Sequence, residues 1–366
     1  MKKKNLFITV IALAVLCGAC LMFFFKGSGD SDNGNTITIG AIMPLTGDAA
    51  SYGISLKKGL EIAFEGSGIR VIYEDSKGES KTAVNSINKL IDLDKVKILI
   101  GDMFTNTTMA IMPIADKNNI LLLSPTASSS EITKKSKTTF RLYPSEEEEG
   151  GKLYTFSQKK FYGKRGTIVV VNENAMQKVA GIINQNKDKQ IIEYSKGMTD
   201  FTPIIQKVDK NAEVVFLIGY FDDNTRFIKQ SIELKRKYSF IGLSTLYTPQ
   251  LIATLGNIES PIYLSAPKLS LDKTNSLTMG FVQQFQSKYN IEPDIWAGYG
   301  YDAGKITLKI IEMAQKNGTN YISEMYNINN YDGVTGVTTI NNDRSINKTM
   351  DIVKYADGKF STTIYE

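Results

Sequence analysis

Histidine is missing from all 366 residues. Its absence removes Ser-His-Asp and Cys-His nucleophile pairs, histidine-ligated metal sites and the usual general base at neutral pH. Cysteine is almost missing too: Cys17 and Cys20 both lie in an apolar N-terminal stretch, so everything after residue 20 lacks thiols. No disulfide, thiolate nucleophile or cysteine-based zinc site can form there. The body also lacks an excess of charge. Lys2, Lys3, Lys4 and Lys26 carry four of the net +5, and no acid lies among residues 1–26, which leaves +1 for the rest. A near-neutral body without a basic, aromatic-laced patch gives no reason to expect a nucleic-acid partner. What is present is core material. With 42% apolar and 10% aromatic residues, the chain can fill about two compact lobes at ~100–200 residues per domain and is too apolar for disorder.

Lys2-Lys3-Lys4 precedes a run without charge from Asn5 to Phe25, closed by Lys26 and the polar stretch 27–35. Roughly 20 apolar residues suffice to span a bilayer core, and basic residues at the start favour a cytoplasmic N-terminus. Residues 1–26 therefore read as an export signal and 27–35 as a polar linker. Two forms remain open. One is an uncleaved signal anchor; the other is a lipoprotein signal cut before Cys20, since Gly18-Ala19-Cys20 resembles the end of a lipobox, although the chain stays apolar through Leu-Met-Phe-Phe-Phe afterwards.

From Thr36 onward, short β-branched runs alternate with amphipathic stretches. Strands are expected at 36–42, 70–73, 96–100 and 120–123, with helices at 55–65, 81–93 and 107–117 between them. Continuous apolar runs such as Ile120-Leu-Leu-Leu123 suit strands covered on both faces by helices. The rhythm breaks near Tyr143–Ser145 and restarts, with a helix from Glu146 and strands at 167–171, 190–194, 214–218 and 240–242, so two sheets of similar build are implied. Glu146–Glu149 reads as the acidic first turn of a helix rather than a metal cluster, because four consecutive acids fan around the axis. Pro44-Leu-Thr-Gly-Asp48 fits neither phosphate-cradle pattern, so no cofactor is expected. Ser55-Leu-Lys-Lys58 matches S-x-x-K, but the S-D-N and K-T-G partners of that motif occur nowhere in the chain.

Five segments, in order along the chain, carry a resemblance. They are Gly40-Ala-Ile-Met-Pro-Leu-Thr-Gly47 with Ser51-Tyr52-Gly53 and Gly59–Ala63; Asp94-Lys-Val with Ile100-Gly101 and Thr105–Thr108; Leu122-Leu-Ser-Pro-Thr-Ala-Ser128; Gly298-Tyr-Gly-Tyr-Asp-Ala303; and Tyr331-Asp-Gly-Val-Thr-Gly336. Together they resemble the leucine-, isoleucine- and valine-binding solute receptors of ABC transporters, with the type I periplasmic-binding-protein fold. The resemblance implies an α/β chain of two Rossmann-like lobes with parallel sheets, joined by a three-strand hinge. The crossings would fall near 143–145, 266–268 and 335–337, giving one lobe of 36–143 plus 268–335 and another of 145–265 plus 337–366.

By the same resemblance, Thr105, Thr126 and Ser128 hold a ligand carboxylate, Tyr52 forms an aromatic wall and Tyr220 is a contact from the second lobe. Apart from the family, Thr105 precedes a helical pattern whose free N–H groups would attract an anion, though such residues serve equally as helix caps and turn residues. Two positions depart from the pattern. The acid that would pair with a ligand ammonium falls on or beside Ser244, and an aromatic expected after the second lobe's first strand falls at Met176. Asp222 and Asp223 are the nearest acids that could compensate, and equally they read as the cap of a following helix. The expected ligand thus bears a carboxylate or amide and no ammonium. The implied role is non-enzymatic: an extracytoplasmic, membrane-tethered receptor in the periplasm or at the cell surface that delivers a small solute to an ABC permease. A ligand-sensing or enzyme-regulating ectodomain on the same fold is the rival, and an extracytoplasmic hydrolase a more distant one.

Overall fold

In the first of two sheets, β1 (Thr38–Met43), β2 (Arg70–Asp75), β3 (Ile98–Ile100), β4 (Leu121–Ser124) and β5 (Thr139–Arg141) are all parallel, in the order β2-β1-β3-β4-β5. Helices α1 (Ala50–Ala63), α2 (Ser80–Asp92), α3 (Thr105–Lys117) and α4 (Ser130–Lys135) connect them. The structure, a computed structural model, describes residues 36–266, 276–348 and 350–362. The expected signal segment with Cys20, the linker and Lys268 of the second expected crossing lie outside them. No described helix is long and apolar enough to cross a membrane.

The second sheet repeats the first. After α5 (Glu146–Lys160), strands β6 (Gly166–Val171), β7 (Gln190–Tyr194), β8 (Val214–Ile218), β9 (Ser239–Gly242) and β10 (Ile262–Ala266) pair in parallel in the order β7-β6-β8-β9-β10. They are connected by α6 (Asn174–Ile183), α7 (Thr202–Lys207), α8 (Phe221–Glu233) and α9 (Pro249–Leu255). Counted from its own first strand, this too is a 2-1-3-4-5 order. Alternation along the strands explains why both faces are covered. Val169, Val171, Val215 and Leu217 enter one apolar cluster, while Ile168, Val170, Val214 and Phe216 enter the other.

The chain then returns to the first lobe for α10 (Ser276–Tyr289), α11 (Ile295–Asn317), α12 (Tyr321–Met325) and a small antiparallel sheet of β11 (Tyr331–Gly333), β12 (Gly336–Ile340) and β13 (Ile346–Asn347). It rejoins the second sheet as β14 (Asp351–Ala356) and β15 (Lys359–Thr362), with β14 antiparallel to β10 and β15 antiparallel to β14. The third crossing therefore differs from its expected place at 335–337. Gly336–Thr338 pair with β11, Thr339 and Ile340 pair with β13, and Arg344 donates to the Thr133 carbonyl at 2.6 Å, so the chain is still on the first lobe at Asn347 and joins the second sheet as β14.

A buried polar knot holds this passage. Asp302 of α11 accepts from the Val334 and Thr335 amides at 2.8 and 2.9 Å and from the Thr335 hydroxyl. Lys348 is equally buried, 3.9 Å from Asp302 and 4.7 Å from the centre of the Tyr299 ring, and donates to Thr338 at 3.1 Å. Burial pushes the Lys348 ammonium down to about 8 even with Asp302 beside it. The resemblance segments at 298–303 and 331–336 are thus two halves of one contact.

Helix α11 docks on α1 at a separation only glycine permits. A Cβ at Gly59 would stand 1.9 Å from the Ala297 carbonyl oxygen, and one at Gly300 would stand 2.1 Å from that of Leu56. Gly300→Ala should therefore destabilise the protein by about 1–3 kcal/mol or more, as overpacked cores do. Gly280→Ala, in α10 where an added Cβ meets nothing within 4 Å, should be neutral or stabilising by up to ~1 kcal/mol. Urea unfolding of the two variants checks this, and equal stabilities would contradict it.

Candidate functional site

In a parallel 2-1-3-4-5 sheet, the loops at the carboxyl ends of the strands border a crevice where the strand order switches. Here those of both sheets contribute to one cavity. The first lobe supplies Tyr52 of α1, Phe104 and Thr105 after β3, Thr126 and Ser128 after β4, and Trp296 of α11. The second supplies Glu173 and Met176 after β6, Tyr220 after β8 and Ser244 after β9, together with Glu149 of α5. The space open to the centre of a water molecule is about 80 Å³, on the order of half a dozen waters and so the scale of a small metabolite.

One end of the cavity is the start of α3. Phe104 is its N-cap residue and supplies no side-chain cap, and the first helical bond is from the Thr108 amide to the Phe104 carbonyl at 2.9 Å. The N–H groups of the first turn thus lack intrahelical acceptors and present the positive end of the helix beside Thr105 and Asn106. Nearby, Thr126 donates to the Met103 carbonyl at 2.9 Å, and the Thr105 hydroxyl accepts from the Ser129 amide at 3.3 Å.

Aromatic rings form the walls and join the lobes. Tyr52 meets Trp296 edge to face at 5.3 Å, and Phe104 meets Tyr220 in the same way at 5.9 Å across the cleft. The Tyr52 hydroxyl accepts from the Phe221 amide at 3.0 Å, and burial pushes its phenol up. Lys196 lies 4.4 Å from the Tyr220 ring centre and 5.5 Å from that of Phe104. Farther along, Ser130 of the first lobe donates to Glu147 at 2.9 Å, and its amide donates to Glu146 at 3.1 Å. The lobes thus touch at both places, through Tyr52 and Phe104 and again through Ser130.

Of the residues singled out in the sequence, Tyr52, Thr105, Thr126, Ser128, Tyr220 and Ser244 all line this cavity, as does Met176. Asp222 does not. It sits exposed on the first turn of α8 and lines an adjoining outer pocket with Lys196, Arg226 and the other side of Tyr220. Asp223 is buried but engaged, accepting from the Gly197 amide at 3.2 Å with Arg226 at 3.6 Å.

Two acids line the cavity, Glu149 and Glu173, and neither was expected there from the sequence. Glu146–Glu149 does begin a helix, and its four carboxylates have four fates. Glu148 closes a capping box with Ser145, Glu147 pairs with Lys178 at 2.6 Å and Glu146 binds the Ser130 amide. Glu149 turns inward. Its Oε1 accepts from the Ser244 amide at 3.1 Å, the Ser244 hydroxyl at 2.9 Å and the Ser265 hydroxyl at 2.5 Å. Burial pushes its carboxyl up against those three bonds. Trp296 was missed as well. The S-x-x-K match has no catalytic geometry: Ser55 donates to Asp294, while Lys57 and Lys58 lie over Tyr73 and Tyr289.

Comparison with known proteins agrees with this architecture. A Leu/Ile/Val-binding protein of Rhizobium johnstonii is 24% identical over 223 residues, 56% of this chain and 60% of that protein. The leucine-, isoleucine-, valine-, threonine- and alanine-binding protein of Pseudomonas aeruginosa is 23% identical over 323 residues, 82% of this chain and 85% of its own. Among solved structures, a branched-chain amino acid transporter substrate-binding protein from Streptococcus pneumoniae, in complex with isoleucine, superposes with a TM-score of 0.82 at 21% identity, covering 89% of this chain and 98% of that one. A solute-binding protein of an ABC transporter from R. palustris, in complex with benzoate, gives 0.80 at 19% identity, covering 89% and 95%. Residues 36–359 match the family model for periplasmic binding proteins, and the chain belongs to that family.

Proposed function

We propose that this protein is the extracytoplasmic solute receptor of an ABC transporter, capturing a small carboxylate-bearing solute between its lobes and passing it to a membrane permease without chemical change. The observation that carries the reading is the cavity itself, built in equal measure from strand ends of both lobes, with the uncapped start of α3 at one side. A carboxylate fits that end, where Thr105, Thr126 and Ser128 stand beside free backbone N–H groups. The apolar part of the solute would lie on Tyr52, Trp296 and Tyr220. Ligand touching both lobes at once favours the closed arrangement by its differential affinity for it, and opening would bend only the crossings. In this reading 36–143 with the α10–β13 segment moves as one lobe and 145–265 with β14 and β15 as the other.

Trp296 is the only tryptophan in the chain and lines the cavity, so its fluorescence reports occupancy. Titration with amino acids, amides and short carboxylates should give a saturable change for at least one compound. Thr105→Val should weaken that binding by about tenfold or more, the scale of a lost hydrogen bond to a charged group, and Tyr220→Ala by a similar factor through the apolar contact it removes. Silence across the panel, or binding indifferent to both variants, would contradict the reading.

The charged start and apolar run of residues 1–26 support export and attachment to the membrane. Cell fractionation should place the protein in the membrane fraction, and the intact mass decides between an uncleaved anchor and diacylglycerol on Cys20. Recovery of the unprocessed chain from the cytosol would overturn export.

A further inference from the structure

We infer that the lobes are latched by reciprocal helix capping: Tyr52 of the first lobe caps α8 of the second, Glu146 of the second caps α4 of the first, and the two caps hold part of the population shut before any solute arrives. This latch rests on the cleft-closure reading above and adds to it the residues that set the balance between open and closed.

A helix leaves its first N–H groups without intrahelical acceptors. In α8 the N-cap residue is Tyr220, which supplies no side-chain cap, and the Phe221 amide donates instead to the Tyr52 hydroxyl at 3.0 Å. Tyr52 stands on α1, in the other lobe. In α4 the Ser129 hydroxyl accepts from the Glu131 amide at 3.3 Å, which leaves the Ser130 amide for Glu146, whose Oε2 takes it at 3.1 Å. Glu146 opens α5 in the second lobe and is 1% exposed. Each lobe thus satisfies a helix end of its neighbour, where the partial positive charge of the helix strengthens the bond.

The second cap is reinforced. The Ser130 hydroxyl donates to Glu147 at 2.9 Å and accepts from Lys178 at 3.3 Å. Lys178 pairs with Glu147 at 2.6 Å within the second lobe. Burial would raise the Glu147 carboxyl, but Lys178, a backbone amide and Ser130 outweigh it and hold it at about 2. A pair already assembled on one lobe has little side-chain freedom left to lose when Ser130 arrives.

The caps flank the cavity. Glu146 and Glu147 follow directly on the first crossing, whereas Tyr52 borders the outer pocket that Asp222 lines. Ser130, Glu146, Glu147 and Lys178 stand outside the cavity lining, yet the turn that carries Ser130 is part of it: Ser128 lines the cavity, and the Ser129 amide donates to the Thr105 hydroxyl at 3.3 Å. A solute held at Thr105 and Ser128 therefore steadies Ser130 without touching it. One swing of the lobes breaks both caps, so loss of either loosens the other.

The test uses the full-length protein and amide hydrogen exchange resolved to single residues, which reads the open fraction. Without solute, the Phe221 and Ser130 amides should both be protected, and a solute that binds should protect them further. Tyr52→Phe keeps the aromatic wall and removes only the hydroxyl. It should speed exchange at Ser130, across the cavity, about fivefold, the scale of one hydrogen bond. Ser130→Ala should speed exchange at Phe221 about tenfold, the scale of a bond to a charged group, and should quicken release of a bound solute. Tyr289→Phe, which removes a hydroxyl bonded to Glu61 within the first lobe at 2.6 Å, should leave both amides unchanged. If Tyr52→Phe speeds exchange at Phe221 and leaves Ser130 unmoved, or Ser130→Ala leaves Phe221 unmoved, the bonds are local contacts and the latch is overturned. Rapid exchange of both amides in the natural protein without solute would overturn it as well. The two variants sit on different elements, so one that fails to fold leaves the other decisive. Solute binding that survives such a result would leave the cleft reading standing alone, whereas coupled amides with silence across the titration panel would remove that reading and keep the latch.

Discussion

A parallel strand must send its connection back across the sheet before the next can begin, so every strand's carboxyl end opens toward the same edge. That constraint organises the molecule. With the 2-1-3-4-5 order in both lobes, residues after β3 and β4 and those after β6, β8 and β9 converge on one cavity. Because those loops leave buried strands, their bases are fixed by apolar packing on both faces, and side chains such as Thr105, Tyr220 and Ser244 take their places from the sheet.

Joining two such lobes requires polar chemistry at the crossings, where chain must be buried and yet pass between sheets. Tyr143, on the first crossing, hydrogen bonds to Ser244 and packs against Tyr299 at 5.1 Å. On the third, Asp302 and Lys348 satisfy each other and the Thr335 turn. Removing one member of such a pair strands a buried charge, a larger penalty than the pair's own net contribution. Tyr143 belongs to both a crossing and the cavity, and its hydroxyl meets Ser244 on the second lobe's side of the cavity.

Much of this was legible in the sequence. The β-branched runs at 167–171 and 214–218 are β6 and β8 almost residue for residue, because a strand buried on both faces has nothing polar to interrupt it, and 190–194 is the edge strand β7, where burial alternates and only Ile192 and Tyr194 turn inward. The short β5 and the β11–β13 sheet were not legible. Thr139-Phe-Arg141 is too short to show a period, and β12 is defined by its partner β11. Six of the seven ligand-site candidates lie on one cavity, since strand ends fix their positions. Asp222 was expected in the cavity and Glu149 was not, for a single reason: on a helix, one residue is about a 100° turn, and only docking decides which face looks inward. Glu149 reads as one of four equivalent acids until α5 is laid against β10, when Ser265 and Ser244 single it out.

A solute contacting both lobes should hold them shut. The body contains no cysteine, so after replacement of Cys17 and Cys20 by serine two spin labels can be placed on exposed Lys77 of the first lobe and Ser195 of the second. Pulsed electron paramagnetic resonance then gives the distance between them. With a saturating ligand from the titration panel, the account predicts a single short, narrow distance, and without it a shift toward longer ones. A distribution identical in the two conditions would contradict it.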